Sequence, residues 1–123
     1  MNKKIIIVSI LFILLASFMI VSSSRNESKS EEKESAIILF YGDTCPHCKV
    51  VDDYIKENNV KERVSFVQKE VYRNKANALE MNQKAEICGL ETNNIGVPFL
   101  FDGENGAKCL IGDRDIIDYF TSK

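Results

Sequence analysis

The sequence predicts an α/β domain, a four-stranded mixed sheet in the order β-α-β-α-β-β-α flanked by three helices. Three observations lead to this fold class. An unbroken apolar run, Ala36–Tyr41, turns at Gly42 into an amphipathic helical pattern. Strand-like and helix-like stretches then alternate, as in strands joined by crossover helices. Before the last helical pattern, two short strands enclose the turn Asp102–Gly106, which indicates a hairpin.

An N-terminal segment precedes this domain and is excluded from the fold. Two lysines are followed by an apolar run of 17 residues, Ile5–Val21, so residues 1–21 are predicted to be a hydrophobic helix acting as a signal anchor or transmembrane segment. Residues 22–35 have no apolar side chain and are predicted to be a disordered tether, because such a segment has nothing to bury. The folded domain is predicted over residues 36–123.

The N-terminal segment leaves two locations open. As an uncleaved anchor, residues 5–21 lie in the cytoplasmic membrane and the preceding lysines keep the N-terminus inside, so the domain is extracytoplasmic. If Ser22-Ser23-Ser24 permits signal cleavage, the domain is secreted. We favour the anchor, and four cysteines in 123 residues suit an oxidising compartment. A net charge of -2 without a basic cluster argues against nucleic acid as a partner.

The first half of the domain is assigned from periodicity. Ala36–Tyr41 is apolar throughout, which predicts a strand buried on both faces of the sheet. The following helix is predicted to stop near Asn58-Asn59. Its buried stripe consists of Cys48, Val51 and Ile55. Val64-Ser65-Phe66-Val67 is predicted to be the second strand.

The second half is assigned in the same way. A helix is predicted from about Asn74 to Cys88, with Gly89 as its C-cap. Its buried stripe consists of Ala78, Met81, Ala85 and Cys88. The hairpin strands are Ile95–Phe101 and Ala107–Ile111. Asp113 is the predicted N-cap of the last helix. The core-facing residues of that helix are Ile116, Ile117 and Phe120. Strands joined through helices are expected to be parallel, and the hairpin antiparallel.

The chemistry centres on Cys45-Pro46-His47-Cys48, where the first strand turns into the first helix. Pro46 suits the first helical position, which makes Cys45 the N-cap. A thiolate there accepts free backbone N–H groups and feels the positive end of the helix dipole, so its pKa is expected to fall. We predict Cys45 as the exposed nucleophile and Cys48 as the resolving thiol. Pro46 and protonated His47 are predicted to tune the thiolate.

Two other interpretations of this cysteine pair are a zinc site and an inert structural pair. Zinc usually needs a second pair of ligands at similar spacing, and the remaining Cys88 and Cys109 are 21 residues apart. No metal site is therefore predicted. The strand-turn-helix context favours redox chemistry.

Cys88 and Cys109 leave three interpretations open: a structural disulfide, separate buried thiols, or a redox relay. Cys88 closes the stripe of the second helix, and Cys109 alternates with Ala107 and Ile111 on the last strand, so both point inward. The inferred fold lets them approach, and neighbouring thiols normally pair in an oxidising compartment. We favour the structural disulfide, which a Cα separation beyond about 7 Å would exclude.

Over residues 36 to about 121 the chain resembles the thioredoxin-like superfamily in its glutaredoxin-sized form. The resemblance rests on Cys45-Pro46-His47-Cys48 opening the first helix, on Val97-Pro98 opening the third strand, and on the order of the elements. In that family the proline is cis and lies against the active-site disulfide. The resemblance implies the same for Pro98, with the Val97 backbone available to pair with an extended peptide.

Details of the resemblance refine the expected activity. The Pro-His pair is similar to that of the Dsb-type disulfide oxidases, although this chain is too short for their helical insertion. Cys109–Asp113 is placed like the glutathione loop of glutaredoxins, but its single glycine argues against glutathione. Thioredoxins carry a buried acid six residues before the first cysteine, where this chain has Leu39.

Together these features predict a membrane-tethered, extracytoplasmic thiol-disulfide oxidoreductase that exchanges disulfides with exported proteins through Cys45 and Cys48. No cofactor is predicted beyond this redox-active pair, and a membrane redox partner is expected to recharge it. The direction, whether oxidase, reductase or isomerase, stays open. The alternatives are a glutathione-dependent reductase and a non-catalytic peptide-binding module with the groove at Val97 and Pro98.

Overall fold

The computed structural model describes residues 36–123, together with Lys3 and Ile7 near the start of the chain. By its internal contacts the chain divides into two units, Met1–Lys33 and Glu34–Lys123, and the second is described here. The predicted apolar helix and tether lie almost wholly outside the described residues. Among those that are described, none belongs to a helix long and apolar enough to cross a membrane.

The sheet has four strands: β1 (Ile37–Tyr41), β2 (Val67–Glu70), β3 (Phe99–Asp102) and β4 (Lys108–Ile111). Their order across the sheet is β2-β1-β3-β4. β1 is parallel to β2 and antiparallel to β3, and β3 and β4 form the predicted antiparallel hairpin. The mixed four-stranded sheet is confirmed.

One expectation about strand direction is wrong. β2 and β3 are joined through a helix, yet β3 runs opposite to β1 and therefore to β2. The reason lies in the connection Gly89–Pro98, which follows that helix. It carries the chain back to the end of the sheet where β1 stops, since Phe99 at the start of β3 pairs with Phe40. From there β3 has to run back along β1.

Four helices surround this sheet in the described residues: α1 (Pro46–Glu57), α2 (Val60–Arg63), α3 (Lys75–Ile87) and α4 (Asp113–Thr121). A 3-10 turn, Thr92–Asn94, follows α3. The three predicted helices correspond to α1, α3 and α4, and α1 ends at the predicted asparagines. The short helix α2 was not predicted.

The helix α2 displaces the second strand from its predicted place. Asn59 has a φ of +47° and redirects the chain into α2. Val60 and Val64 are then buried in the core instead of pairing in the sheet. β2 consequently starts only at Val67, which pairs with Ile38 of β1. The apolar run that predicted a strand at residues 64–67 reflects burial of these side chains, and the strand itself is mostly polar.

The ends of α3 lie close to where they were predicted. The Asn74 side chain accepts hydrogen bonds from two backbone N–H groups of the first turn, both at 3.1 Å. Gly89 follows the helix with a φ of +71°, and the Leu90 N–H donates to the Ala85 carbonyl at 3.0 Å. These bonds fix Cys88 at the C-cap of α3.

The start of α4 differs by one residue from its prediction. Asp113 is the first helical residue, and the N-cap is Gly112. Gly112 has a φ of +95°, a region that favours glycine, and this lets the chain turn from β4 into α4. Asp113 is thereby moved into the first turn, where a carboxylate interacts favourably with the helix dipole.

Side chains of β1 alternate between two core clusters on opposite faces of the sheet, so the predicted burial on both faces is confirmed. The cluster on the side of α1, α2 and α4 consists of Ile37, Leu39, Val51, Ile55, Val60, Val64, Leu100, Ile116, Tyr119 and Phe120. The cluster on the side of α3 consists of Ile38, Phe40, Met81, Ala85, Phe99 and Phe101. Cys88 and Cys109 are partly buried against this second cluster.

A buried polar contact ties α4 to the end of β3. The Tyr119 hydroxyl donates to Asp102 Oδ2 at 2.7 Å, and Lys123 Nζ lies 3.7 Å from the same oxygen. Burial works to raise the pKa of Asp102, but the hydrogen bonds from Tyr119 and from the Glu104 backbone N–H, together with Lys123, hold it below its ordinary value. Tyr119 is not among the core residues predicted for this helix, because a tyrosine can also lie at the protein surface.

Tyr119→Phe should lower the free energy of unfolding by about 2 kcal/mol at neutral pH, because a buried carboxylate loses one of its hydrogen-bond donors. The depressed pKa of Asp102 sets the pH dependence. Its stabilisation is fully present above the ordinary aspartate pKa of about 3.9 and is lost as the pH falls through the lower pKa of the folded state. The difference between the two proteins should therefore shrink in acid, as measured by urea denaturation from pH 7 to pH 3.

Tyr54→Phe is the matched control for this experiment. Tyr54 makes an exposed hydrogen bond of 2.7 Å to the Thr121 hydroxyl, with no ionisable partner. Its loss should cost less than that of the Tyr119 hydroxyl and should not change between pH 7 and pH 3. Equal losses in the two variants at every pH would contradict the role given to Asp102.

Candidate active site

The cysteine motif lies between the end of β1 and the first turn of α1. After Tyr41 the chain turns at Gly42, whose carbonyl accepts a hydrogen bond from the Cys45 N–H at 3.2 Å. Cys45 is the N-cap of α1, and Pro46 is the first residue of the helix, as predicted. The Cys48 backbone N–H donates to Cys45 Sγ at 3.2 Å. Cys45 Sγ therefore lies at the positive end of the helix.

Cys45 and Cys48 are joined by a disulfide, with 5.2 Å between their Cα atoms. Their exposed fractions are similarly small, 8% for Cys45 and 5% for Cys48. The expectation of an exposed Cys45 is therefore not met in the disulfide form, because the loop before β3 packs against it. What distinguishes the two sulfurs is their surroundings.

The loop that opens β3 supplies part of the surroundings of Cys45. The Val97–Pro98 peptide bond is cis, as the resemblance implied. Val97 O lies 3.5 Å from Cys45 Sγ, and Pro98 is fully buried. The Gly112 N–H donates to Pro98 O at 3.0 Å. The start of α4 is thus tied to the loop whose Val97 carbonyl lies against Cys45 Sγ.

His47 has a partner that the sequence did not indicate. Its side chain is 70% exposed, and Nδ1 lies 3.1 Å from Asp113 Oδ2 on α4. The hydrogen bond with His47 is the main cause that holds the pKa of Asp113 below its ordinary value. A carboxylate therefore lies in contact with the side chain of His47, inside the motif. The two residues are 66 positions apart, and only the tertiary fold brings them together.

A turn after β2 covers the approach to the motif from another side. The ring of Tyr72 lies against Gly42, so closely that a Cβ at position 42 would collide with it. Arg73 forms an ion pair with Asp43. The Glu70 carboxylate accepts the N–H groups of Tyr72 and Arg73 at 2.7 and 2.9 Å and so fixes this turn. Burial works to raise the pKa of Glu70, but these bonds outweigh it and lower the pKa.

A cleft of about 370 Å³ opens between α1 and the sheet beside both cysteines. Leu39 and Pro98 form part of its apolar wall. Asp43, Asp52 and Gln68 contribute polar groups. The cleft gives water a route to Cys48, which faces the core on its other sides. Sequence periodicity placed Cys48 in a buried stripe and gave no sign of this cleft.

Cys88 and Cys109 form a second disulfide with a Cα separation of 6.2 Å. This distance lies within the limit that a bridge requires. Cys109 Sγ lies 3.6 Å from Lys84 O, so the bridge packs on the last turn of α3. It joins the end of α3 to β4 and closes the loop that contains Val97 and Pro98. Within residues 36–123, no group of three or more His, Cys, Asp or Glu side chains could hold a metal ion.

Comparisons with known proteins add no family assignment. No protein-family model matches the chain, and no curated protein matches it in sequence. The assignment therefore depends on the structure. A mixed four-stranded sheet with helices and a Cys45–Cys48 pair at disulfide distance is compatible with a thioredoxin-like fold and suggests a redox-type function.

Replacing Cys88 and Cys109 together by alanine should lower the free energy of unfolding by about 3 kcal/mol, because the unfolded chain loses a cross-link. The two residues are 21 positions apart. The control is the variant in which Cys45 and Cys48 are both alanine, which removes a loop of only three positions and should lose about half as much. Urea denaturation without reductant measures both. Equal losses would contradict the loop argument.

Proposed function

We propose that this protein is a membrane-tethered, extracytoplasmic thiol-disulfide oxidoreductase that acts on exported proteins. The observation that supports it is the Cys45–Cys48 disulfide at the N-terminus of α1, against the carbonyl of Val97. A disulfide between residues so close in sequence adds less to stability than one that closes a longer loop, and its position at a helix N-terminus stabilises a thiolate when it opens. Both properties suit a bond that is made and broken in turn.

The surroundings of the two sulfurs assign their roles. Cys45 Sγ accepts a hydrogen bond from a backbone N–H of the first helical turn and lies at the positive end of α1. It is thus the sulfur with the larger thiolate fraction, and so the one that attacks first, when the pair is reduced. Cys48 lies inside the helix and resolves the mixed disulfide on Cys45. Pro46 occupies the first helical position of α1. His47, which contacts Asp113, supplies a charged group beside Cys45 when it is protonated.

The proposed substrate is an extended segment of an exported polypeptide. Val97 presents its backbone next to Cys45, where an extended chain can form main-chain hydrogen bonds independently of its sequence. The second disulfide, Cys88–Cys109, supports an oxidising compartment. The apolar run Ile5–Val21 supports attachment to the membrane. A membrane redox partner recharges the pair, and no further cofactor is needed.

The experiment that tests this proposal is trapping of a mixed disulfide. Cys48→Ala should form a stable covalent adduct with a disulfide-containing unfolded peptide, because the resolving thiol is missing. Cys45→Ala should form none, and mass spectrometry distinguishes the adducts. Stable adducts on Cys45→Ala would reverse the roles, and a peptide held without any covalent adduct would favour a non-catalytic binding module. Turnover with glutathione alone as reductant would favour a glutathione-dependent reductase.

His47→Gln should slow alkylation of reduced Cys45 by iodoacetamide at pH 5 by about threefold, because a positive charge beside the thiolate is lost. Only a stabilised thiolate reacts at this pH, so the rate reports its population. His47→Lys retains the charge and serves as the control. Equal rates in all three proteins would show that His47 has no influence on Cys45.

A further inference from the structure

The proposed exchange requires a group that accepts the proton of Cys48. A thiol attacks a disulfide only as its thiolate. Cys48 is only 5% exposed, so bulk water has little direct contact with it. Burial in general disfavours the charged form of an ionisable group. Leu39 of β1 lines the cleft beside Cys48, but its side chain has no group that could accept a proton. The acceptor has to come from elsewhere in the cleft.

The cleft beside Cys48 offers two carboxylates. Its volume of about 370 Å³ has room for several waters, since one water occupies about 30 Å³. Asp43 lies in the turn before the motif and forms an ion pair with Arg73. Asp52 lies on α1 four residues after Cys48, so both side chains are on the same side of the helix. This spacing makes Asp52 the carboxylate aligned with Cys48.

We propose that Asp52 accepts the proton of Cys48, through water in the cleft, when Cys48 resolves the mixed disulfide. The inference rests on the proposed function. Cys48 gives its proton to Asp52, and its thiolate attacks Cys45 Sγ. The Cys45–Cys48 bond forms while the bond from Cys45 to the substrate sulfur breaks, and that sulfur leaves with the electron pair. The cysteine pair is oxidised, the substrate sulfur is reduced and takes a proton from solvent, and Asp52 releases its proton to solvent.

The charges around Asp52 are compatible with this role. Lys56, one turn further along α1, binds Oδ2, and Oδ1 can accept the proton. The hydrogen bond with Asp52 raises the pKa of Lys56, so the lysine stays charged and holds the carboxylate in place. The other titratable groups on the cleft are Tyr41, Asp43 and Lys49, and β2 contributes only the neutral Gln68.

The test separates the two thiol steps with one reagent, dithiobis(nitrobenzoate), whose thiol product is coloured. The full-length chain is first reduced so that only Cys45–Cys48 opens, as checked by mass. Attack of Cys45 on the reagent releases one coloured thiol and leaves a mixed disulfide. Attack of Cys48 on that mixed disulfide releases the second. Stopped-flow mixing therefore gives two phases, and Cys48→Ala should show only the first.

Asp52→Asn should slow the second phase at least about tenfold at pH 6 to 7 and leave the first unchanged, because a proton acceptor is lost. The difference should shrink as the pH rises beyond the ordinary thiol pKa of about 8.5, because a thiol then needs a proton acceptor less. The direction in which the rate of the second phase changes distinguishes a lost proton acceptor from a lost charge. Removal of a negative charge would by itself favour the Cys48 thiolate and speed this phase. Asp52→Glu keeps a carboxylate and should restore most of the rate.

Asp53→Asn is the matched control. It makes the same change in charge one residue further on, at a carboxylate that pairs with Lys49 and does not line the cleft. Its second phase should equal that of the unchanged protein. A second phase in Asp52→Asn as fast as in Asp53→Asn, or slowing in Asp43→Asn alone, would overturn the role of Asp52. If the first phase were missing from the unchanged chain, the proposed function would fail, and this inference with it.

Discussion

The burial of β1 on both faces is the constraint on which the rest of the structure depends. Its residues alternate between the two core clusters, so neither face can shift without exposing apolar side chains to water. β1 also pairs with a strand on each side, which fixes its register. The end of β1 is consequently a fixed point. Gly42 and the motif that starts at Cys45 extend from it, so the Cys45–Cys48 pair is held at the edge of a rigid core.

Because the core is rigid, segments that are distant in sequence can be held around the motif. Cys45 is held by the turn after β1, Val97 by the loop before β3, and Asp113 by the glycine turn before α4. The bond from the Gly112 N–H to Pro98 O joins the last two of these segments directly. The Cys88–Cys109 disulfide joins the chain segments that precede and follow the Val97 loop. The geometry around Cys45 therefore depends on the whole domain, although the motif itself is four residues long.

How much the sequence predicts depends on the range of the interaction. The position of the motif follows from local rules, since Gly42 permits a turn and Pro46 suits a first helical residue. The register of β2 does not, because Val64 is apolar for burial and the ladder with β1 begins at Val67. The pairing of His47 with Asp113 and the packing of Tyr72 on Gly42 have no local pattern at all. Such contacts arise only after the core has set the distances.

The nearly equal burial of the two cysteines shows why exposure alone is a poor guide to reactivity here. A reagent reaches either sulfur only after some movement, so the difference between them has to come from what each sulfur faces. In the proposed exchange Cys45 is the sulfur that reacts with substrate, because it accepts the Cys48 backbone N–H at the positive end of α1. Cys48 faces a cleft that contains Asp52, the proton acceptor that we propose. The proposed exchange needs a stabilised thiolate and a thiol that loses its proton only in the resolving step, and it assigns these two roles to sulfurs one helical turn apart.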